Sequence, residues 1–116
     1  MRTLSIATDF SRYPGPRYRR NGEFSGQAFR EEKLIPALKE VQASGEVLIV
    51  ILDDVAGYGS SFLEEAFGGL IREGFSEADL KRHLRIEAHT SRFKHHKKRA
   101  ETYVADAAAR SLLPKP

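Results

Sequence analysis

Strand and helix signals alternate along these 116 residues, which points to an α/β domain: a small mixed sheet of three to four strands packed by three helices. Three stretches carry that expectation. Residues 47–52, VLIVIL, are a continuous aliphatic run of strand length. Residues 61–72 repeat apolar side chains at helical spacing, and residues 83–89, HLRIEAH, alternate apolar and polar side chains with the period of a strand. A chain of this length is near the commonest domain size, so residues 1–116 are expected to form a single domain.

In residues 3–8, Leu4 and Ile6 stand two apart and mark a first strand near a sheet edge. Residues 11–25 hold Pro14, Gly15, Pro16 and Gly22 among four arginines, which suits a loop with a short extended piece around Tyr18. A first helix is expected from Gly26 to Ala43. Ser25 is its cap, Phe29, Leu34, Leu38 and Val41 form its apolar stripe, and Pro36 demands a kink or a break.

The run from Glu46 to Leu52 suits a strand covered on both faces at the centre of the sheet. In the helix from Ser61 to Arg72, Leu63, Ala66, Phe67, Leu70 and Ile71 face the core. Glu64, Glu65, Gly68 and Arg72 then face outward. Ser76 to Asp79 reads as a capping sequence for one short helical turn, and Leu84, Ile86 and Ala88 share one face of a third strand. The last helix is expected to begin near Ser91, with Phe93, Ala100, Tyr103, Val104, Ala107 and Ser111 along one stripe and Pro114 as its limit.

Composition narrows the chemistry. The 41% hydrophobic and 30% charged content is that of an ordered, soluble domain. The chain has no Cys, so disulfides, zinc–thiolate sites and cysteine nucleophiles are excluded, and a reducing cytoplasmic setting is expected. No run approaches the roughly 18 apolar residues of a membrane span, and the first ten residues lack a signal-peptide core. Net charge is only +3, but cations cluster at Arg12, Arg17, Arg19 and Arg20 and again in RFKHHKKR, residues 92–99. Such clusters attract phosphates or an acidic partner, although most charge runs on small domains are solvated faces.

The most informative stretch is VLIVILDDVAGYGSSFLEEAFGG, residues 47–69, where a strand runs through a glycine-framed serine pair into a helix. Gly57 and Gly59 are expected to supply the sharp turn. Ser61 and Glu64 have the spacing of a capping box, which is the structural role for that serine. The functional role is phosphorylation, with Ser60 preferred over Ser61, at amides and a helix dipole that favour a phosphate while Glu64 and Glu65 repel it. A nucleophile elbow requires Gly-x-Ser-x-Gly, which Gly59-Ser60-Ser61-Phe62 does not match, so no catalytic residue is assigned.

Residues 57–70, GYGSSFLEEAFGGL, with residues 10–38 upstream, resemble a bacterial STAS-like domain family of unassigned function, and the likeness runs from Leu4 to about Ile86. More distantly the chain resembles the STAS domain of sulphate transporters and anti-sigma-factor antagonists, in which a strand leads to an Asp-Ser-Ser-Gly turn and a helix. Gly59 and Phe62 stand where that motif has Asp and Gly. The resemblance implies an α/β sandwich, a binding module in place of an enzyme, and a serine, here Ser60, whose phosphorylation releases a partner. It further implies a protein partner of the histidine-kinase-type ATPase or anti-sigma-like kinase class. The expected contact face is Tyr58, Gly59, Ser60, Ser61, Phe62, Glu64 and Glu65, with Arg12, Arg17, Arg19 and Arg20 as a second, basic contact.

Other sites carry weaker signals. His95 and His96 are adjacent, so on a helix they diverge by about 100° and lack the i, i+4 geometry of a chelating pair. His83 and His89 bracket the third strand without a ligand-spaced partner, so neither a metal nor a cofactor is expected. The alternative to a protein-binding module is a small nucleic-acid-binding domain. It would use Lys94, Lys97, Lys98 and Arg99 on phosphates and Tyr13 and Tyr18 for stacking, though no recognised nucleic-acid motif accompanies them.

Overall fold

The computed structural model describes residues 1–112. Strand β1, Arg2–Ser5, is shorter than expected because Ser5 caps a helical turn, α1, Ile6–Asp9. The Ser5 hydroxyl accepts from Thr8 N–H at 3.2 Å, and the Asp9 carboxylate accepts from Ser5 N–H at 2.8 Å. This reciprocal cap turns the chain at Ile6, the residue that would otherwise continue the strand's apolar face.

The loop that follows leaves Tyr18 extended and then makes a 3₁₀ turn at Arg19–Asn21. Its carbonyls at Pro16 and Arg17 accept from Gly26 and Gln27, and the Ser25 hydroxyl accepts from Ala28 N–H at 2.9 Å. The first three amides of helix α2, Gly26–Phe29, are thereby satisfied. The helix continues through a π turn, Arg30–Leu34, into α3, Ile35–Ser44. Pro36 explains the widened turn, since it lacks an N–H and its ring crowds the carbonyl four residues back. Gly45, at φ 74°, ends α3 in the left-handed conformation that favours glycine.

Strand β2, Leu48–Ile51, is the centre of the sheet, as expected, and β1 lies at an edge. After it, α4, Ser60–Leu63, a second π turn, Glu64–Gly68, and α5, Gly69–Arg72, form one continuous helical segment. Ser76 caps α6, Glu77–His83, which is longer than the single turn anticipated and runs directly into β3, Leu84–Glu87. Helix α7, Ser91–Ser111, crosses the α4–α5 segment. The limit expected at Pro114 lies outside the described residues.

The α/β class is as read, but the sheet is wholly parallel among the described residues, in order β1-β2-β3. Both crossovers run the same way across the sheet, so right-handed connections place their helices on one face. Leu4, Val50 and Ile86 share a register row on that face and are buried with Leu48 in a core that takes in Phe29, Leu38, Phe62, Phe67 and Leu70. The opposite face carries Thr3, Ile49 and Arg85 in one row and Ser5, Ile51 and Glu87 in the next. Ile49 and Ile51 are only half-buried, so β2 is not covered on both faces. Among the described residues no helix is long and apolar enough to cross a membrane.

Candidate functional site

Beyond β2 the chain is fixed by a buried carboxylate. Asp53 accepts from His89 N–H at 2.9 Å, Thr90 N–H at 2.9 Å and the Thr90 hydroxyl at 2.8 Å, tying the end of β2 to the start of α7. Burial opposes its ionisation, yet these donors outweigh that penalty and hold the carboxyl below its ordinary value. Asp54, at φ 71°, supplies the left-handed turn that had been expected from Gly57 and Gly59. Asp is one of the few residues with a side chain that visits this conformation routinely. Gly59 is extended, at φ −79°.

The segment is held from both sides. Ala56 N–H donates to the Arg12 carbonyl at 2.8 Å, and the Arg92 guanidinium donates to the Ala56 carbonyl at 2.7 Å. Tyr58 lies beneath, 9% exposed, with its hydroxyl donating to the Leu52 carbonyl at 2.6 Å and its ring against Phe62, Phe93 and His96. Burial first, and then the charge of Asp53, push the phenol pKa far up, so this tyrosine stays protonated. Burial, then repulsion from the neighbouring His95, Arg99 and Arg92 side chains, lowers the pKa of His96. The His95 and His96 rings bend together, with centroids 3.9 Å apart, in spite of their divergent start on the helix.

Of the expected contact residues, Ser60 is exposed as the first residue of α4, and Ser61 is half-buried. The capping box between Ser61 and Glu64 does not form, because the cap position is Gly59, two residues before Ser61, and glycine has no side chain to bond the first-turn amides. Phe62, expected on the contact face, is fully buried against Phe29, and Tyr58 is sealed in the same aromatic group. A glycine at position 62, as in the antagonist motif, would remove a core side chain.

Glu64 and Glu65 do not point freely outward. Glu64 binds Arg17 at 2.5 Å and Arg72 at 2.8 and 2.9 Å, and the Arg72 bonds, against a burial cost and with help from Arg17, lower its pKa. Glu65 is 7% exposed and receives Arg30 at 2.7 Å, while Arg30 also donates to the Glu65 carbonyl at 2.5 Å. The repulsion these acids were expected to exert on a phosphate is therefore largely neutralised. Gly68 and Gly69, the former expected outward, are both buried, and close neighbours leave no room for a side chain: a Cβ on Gly69 would overlap the Arg30 guanidinium and one on Gly68 would meet Glu64.

The arginine loop is likewise mostly spoken for. Arg17 is bound to Glu64, and Arg19 bridges Glu31 at 3.0 Å and Glu32 at 2.6 Å. Arg20 lies 4.8 Å from the Tyr18 ring centroid, occupying one of the rings considered for base stacking. The Arg12 side chain is exposed beside a hollow of about 460 Å³ that Asp54, Val55, Thr90, Arg92 and Phe93 complete. In the second cationic run, Lys94, Lys98 and Arg99 are exposed on α7 and Lys97 is half-buried. Among the described residues no three His, Asp or Glu side chains gather where a metal ion would be held. His83 instead contacts the Glu46 carbonyl through Nδ1 at 2.8 Å.

A family model described as a STAS-like domain of unknown function matches residues 25–91, from the cap of α2 to the first residue of α7. The chain belongs to that family. No curated protein and no solved structure matches it. The STAS-like match takes in the serine turn, β2, β3 and the Arg30–Glu65 and Arg72–Glu64 pairs, and leaves β1 and the arginine loop outside. From sequence, Asp53 and Asp54 were given no role in the turn, Arg30 was not singled out, and Arg72 was expected only to face outward. The paired acids directly after a strand were a usable signal for the turn, whereas nothing local marks which helix arginine will be buried.

Proposed function

We propose that this STAS-like domain is a non-enzymatic regulatory module that binds a protein partner at the turn from β2 to α4, with Ser60 as its phosphoacceptor. The observation that carries the reading is the exposure of Ser60 beside neighbours that are locked in place. Tyr58 and Phe62 anchor the turn in the core, so its backbone is preorganised and the serine hydroxyl faces outward without reorganisation of the fold. The partner surface comprises Gly59, Ser60 and Ser61, with the Arg17–Glu64 pair beside them and Arg12 and Arg20 at the rim. Histidine-kinase-type ATPases or anti-sigma-like kinases are the partner class, and the compartment is the cytoplasm.

Glu64 lies one helical turn from Ser60 and holds Arg17. A phosphate on Ser60 carries nearly two negative charges and competes for that guanidinium. Its addition then loosens the 11–25 loop from α4 and changes the face a partner meets. The test is binding to a kinase-type ATPase encoded beside or purified with this chain, together with intact mass of the protein from its native cell. Binding that survives Ser60→Ala but fails in Ser60→Asp, with a phosphate found at Ser60, supports the switch. Equal binding by both variants removes the switch and keeps the module; no complex with any such ATPase removes the module.

A further inference from the structure

We propose that two copies of this chain join along β3, antiparallel about a two-fold axis at Ile86, to make one six-stranded sheet. β3 pairs only with β2, so its outer edge carries unpaired backbone groups, which a second strand satisfies. The Glu87 carbonyl accepts from Leu52 N–H at 3.0 Å and therefore points inward. Alternation along the strand turns the N–H and C=O of Ile86 outward, flanked by the Leu84 carbonyl and the Ala88 N–H. Leu84 N–H is already donated to the Leu80 carbonyl at the end of α6, which leaves the carbonyl to accept.

A partner centred on Ile86 sets Ile86 against Ile86 of the second copy as a hydrogen-bonded pair, with Leu84 against Ala88. Arg85 and Glu87 then face each other across the axis as non-hydrogen-bonded pairs, whose side chains stand closest. The run Leu84-Arg85-Ile86-Glu87-Ala88 is thus self-complementary: every opposed pair is apolar with apolar or base with acid. Within the described residues Arg85 and Glu87 have no ion-pair partner of their own. The register is guarded as well. A slip of two residues one way opposes Arg85 with Arg85, and the other way Glu87 with Glu87.

Beside this edge runs a groove of about 540 Å³ between β3 and helices α6 and α7, lined by Leu80, Leu84, Ile86 and Val104 and by charged side chains that include Arg85 and Glu87. All four residues of β3 line it, so it opens along the strand's edge and not over one face of the sheet. The other edge offers no such match, because β1 carries Arg2, already paired with Glu40, and no acid. The contact is isologous, as a two-fold axis requires. It does not involve Ser60 and stands whether or not that serine is modified.

Sedimentation of the full chain from micromolar to millimolar concentration, with amide exchange read at Ile86, tests this directly. A dimer is expected, with protection of the Ile86 amide rising with concentration. Arg85→Glu or Glu87→Arg alone weakens association by about tenfold, since each opposes like charges twice across the axis, and the double swap restores it. Circular dichroism confirms that each variant is folded. A monomer throughout, a dimer whose Ile86 amide exchanges freely, or a folded double swap that stays monomeric overturns the proposal. Protection of Ile86 only on adding a different protein also overturns it, in favour of a foreign strand.

Discussion

Arg30 and Glu65 form a buried ion pair at 2.7 Å that joins the two π turns, the first opening at Arg30 and the second holding Glu65 as its second residue. Both side chains are under 10% exposed, and Gly69 leaves the space in which the guanidinium lies. The two π turns and Gly69 thus meet at the same buried pair, which ties the helical segment after Ser25 to the one after Gly59.

Removing one member strands the other in the core. Arg30→Leu is expected to cost about 3–5 kcal/mol in chemical denaturation, the usual loss for breaking a buried pair. Arg30→Leu combined with Glu65→Leu should recover part of that loss, because no uncompensated charge remains. If the double variant is the less stable of the two, the pair is not the interaction that matters here.

Glycines should divide by position. A Cβ on Gly26 would lie 2.5 Å from the Phe62 carbonyl oxygen, so Gly26→Ala forces α2 and α4 apart and should cost about 1–3 kcal/mol. Gly57 has open space around it, and Gly57→Ala should change thermal stability little.

Serines divide in the same manner. Ser25 caps α2 from a buried site, and Ser25→Ala should cost about 1–2 kcal/mol. Ser60→Ala and Ser61→Ala should each fall below about 0.5 kcal/mol, because neither stands at the cap position. A larger loss at Ser61, read from denaturant midpoints, would restore the capping role that its spacing from Glu64 implied.

Acid should unfold the protein partly through Asp53. Its folded pKa lies below the ordinary 3.8, so the folded state binds fewer protons than the unfolded chain between those two values. The stabilisation is complete above 3.8 and is lost as pH falls through the folded value. Asp53→Asn should flatten this part of the pH–stability profile. It should also lower stability at pH 7 by more than about 1 kcal/mol, since an amide cannot accept the whole donor set. An unchanged acid limb would assign it to other carboxylates, Glu64 among them.

Much of the local structure was legible from residues close together in the chain. Ser25 and Ser76 cap the helices they precede, Pro36 disrupts the helix just before it, and VLIVIL forms the central strand. Caps and periodicity act within one or two turns, so a linear reading suffices for them. Ser61 and Glu64 misled the same reading because the cap moved two residues back, to Gly59, once Asp54 made the turn and Tyr58 and Phe62 seated in the core. Competition between adjacent start points is decided by packing, not by spacing.

Sequence alone settled the α/β class, the order of strands and helices along the chain, and the presence of a serine turn after the central strand. Tertiary structure alone decided that the sheet is parallel with Ile49 and Ile51 of its central strand only half-buried, that Glu64 and Glu65 are neutralised by Arg17, Arg72 and Arg30, and that Ser60 is the more exposed of the two serines. Arg17 and Arg30 reach their carboxylates across 47 and 35 residues. No periodicity encodes such pairings: they exist only after burial of the Phe29, Phe62 and Phe67 core has brought the loop, α2 and α4 together.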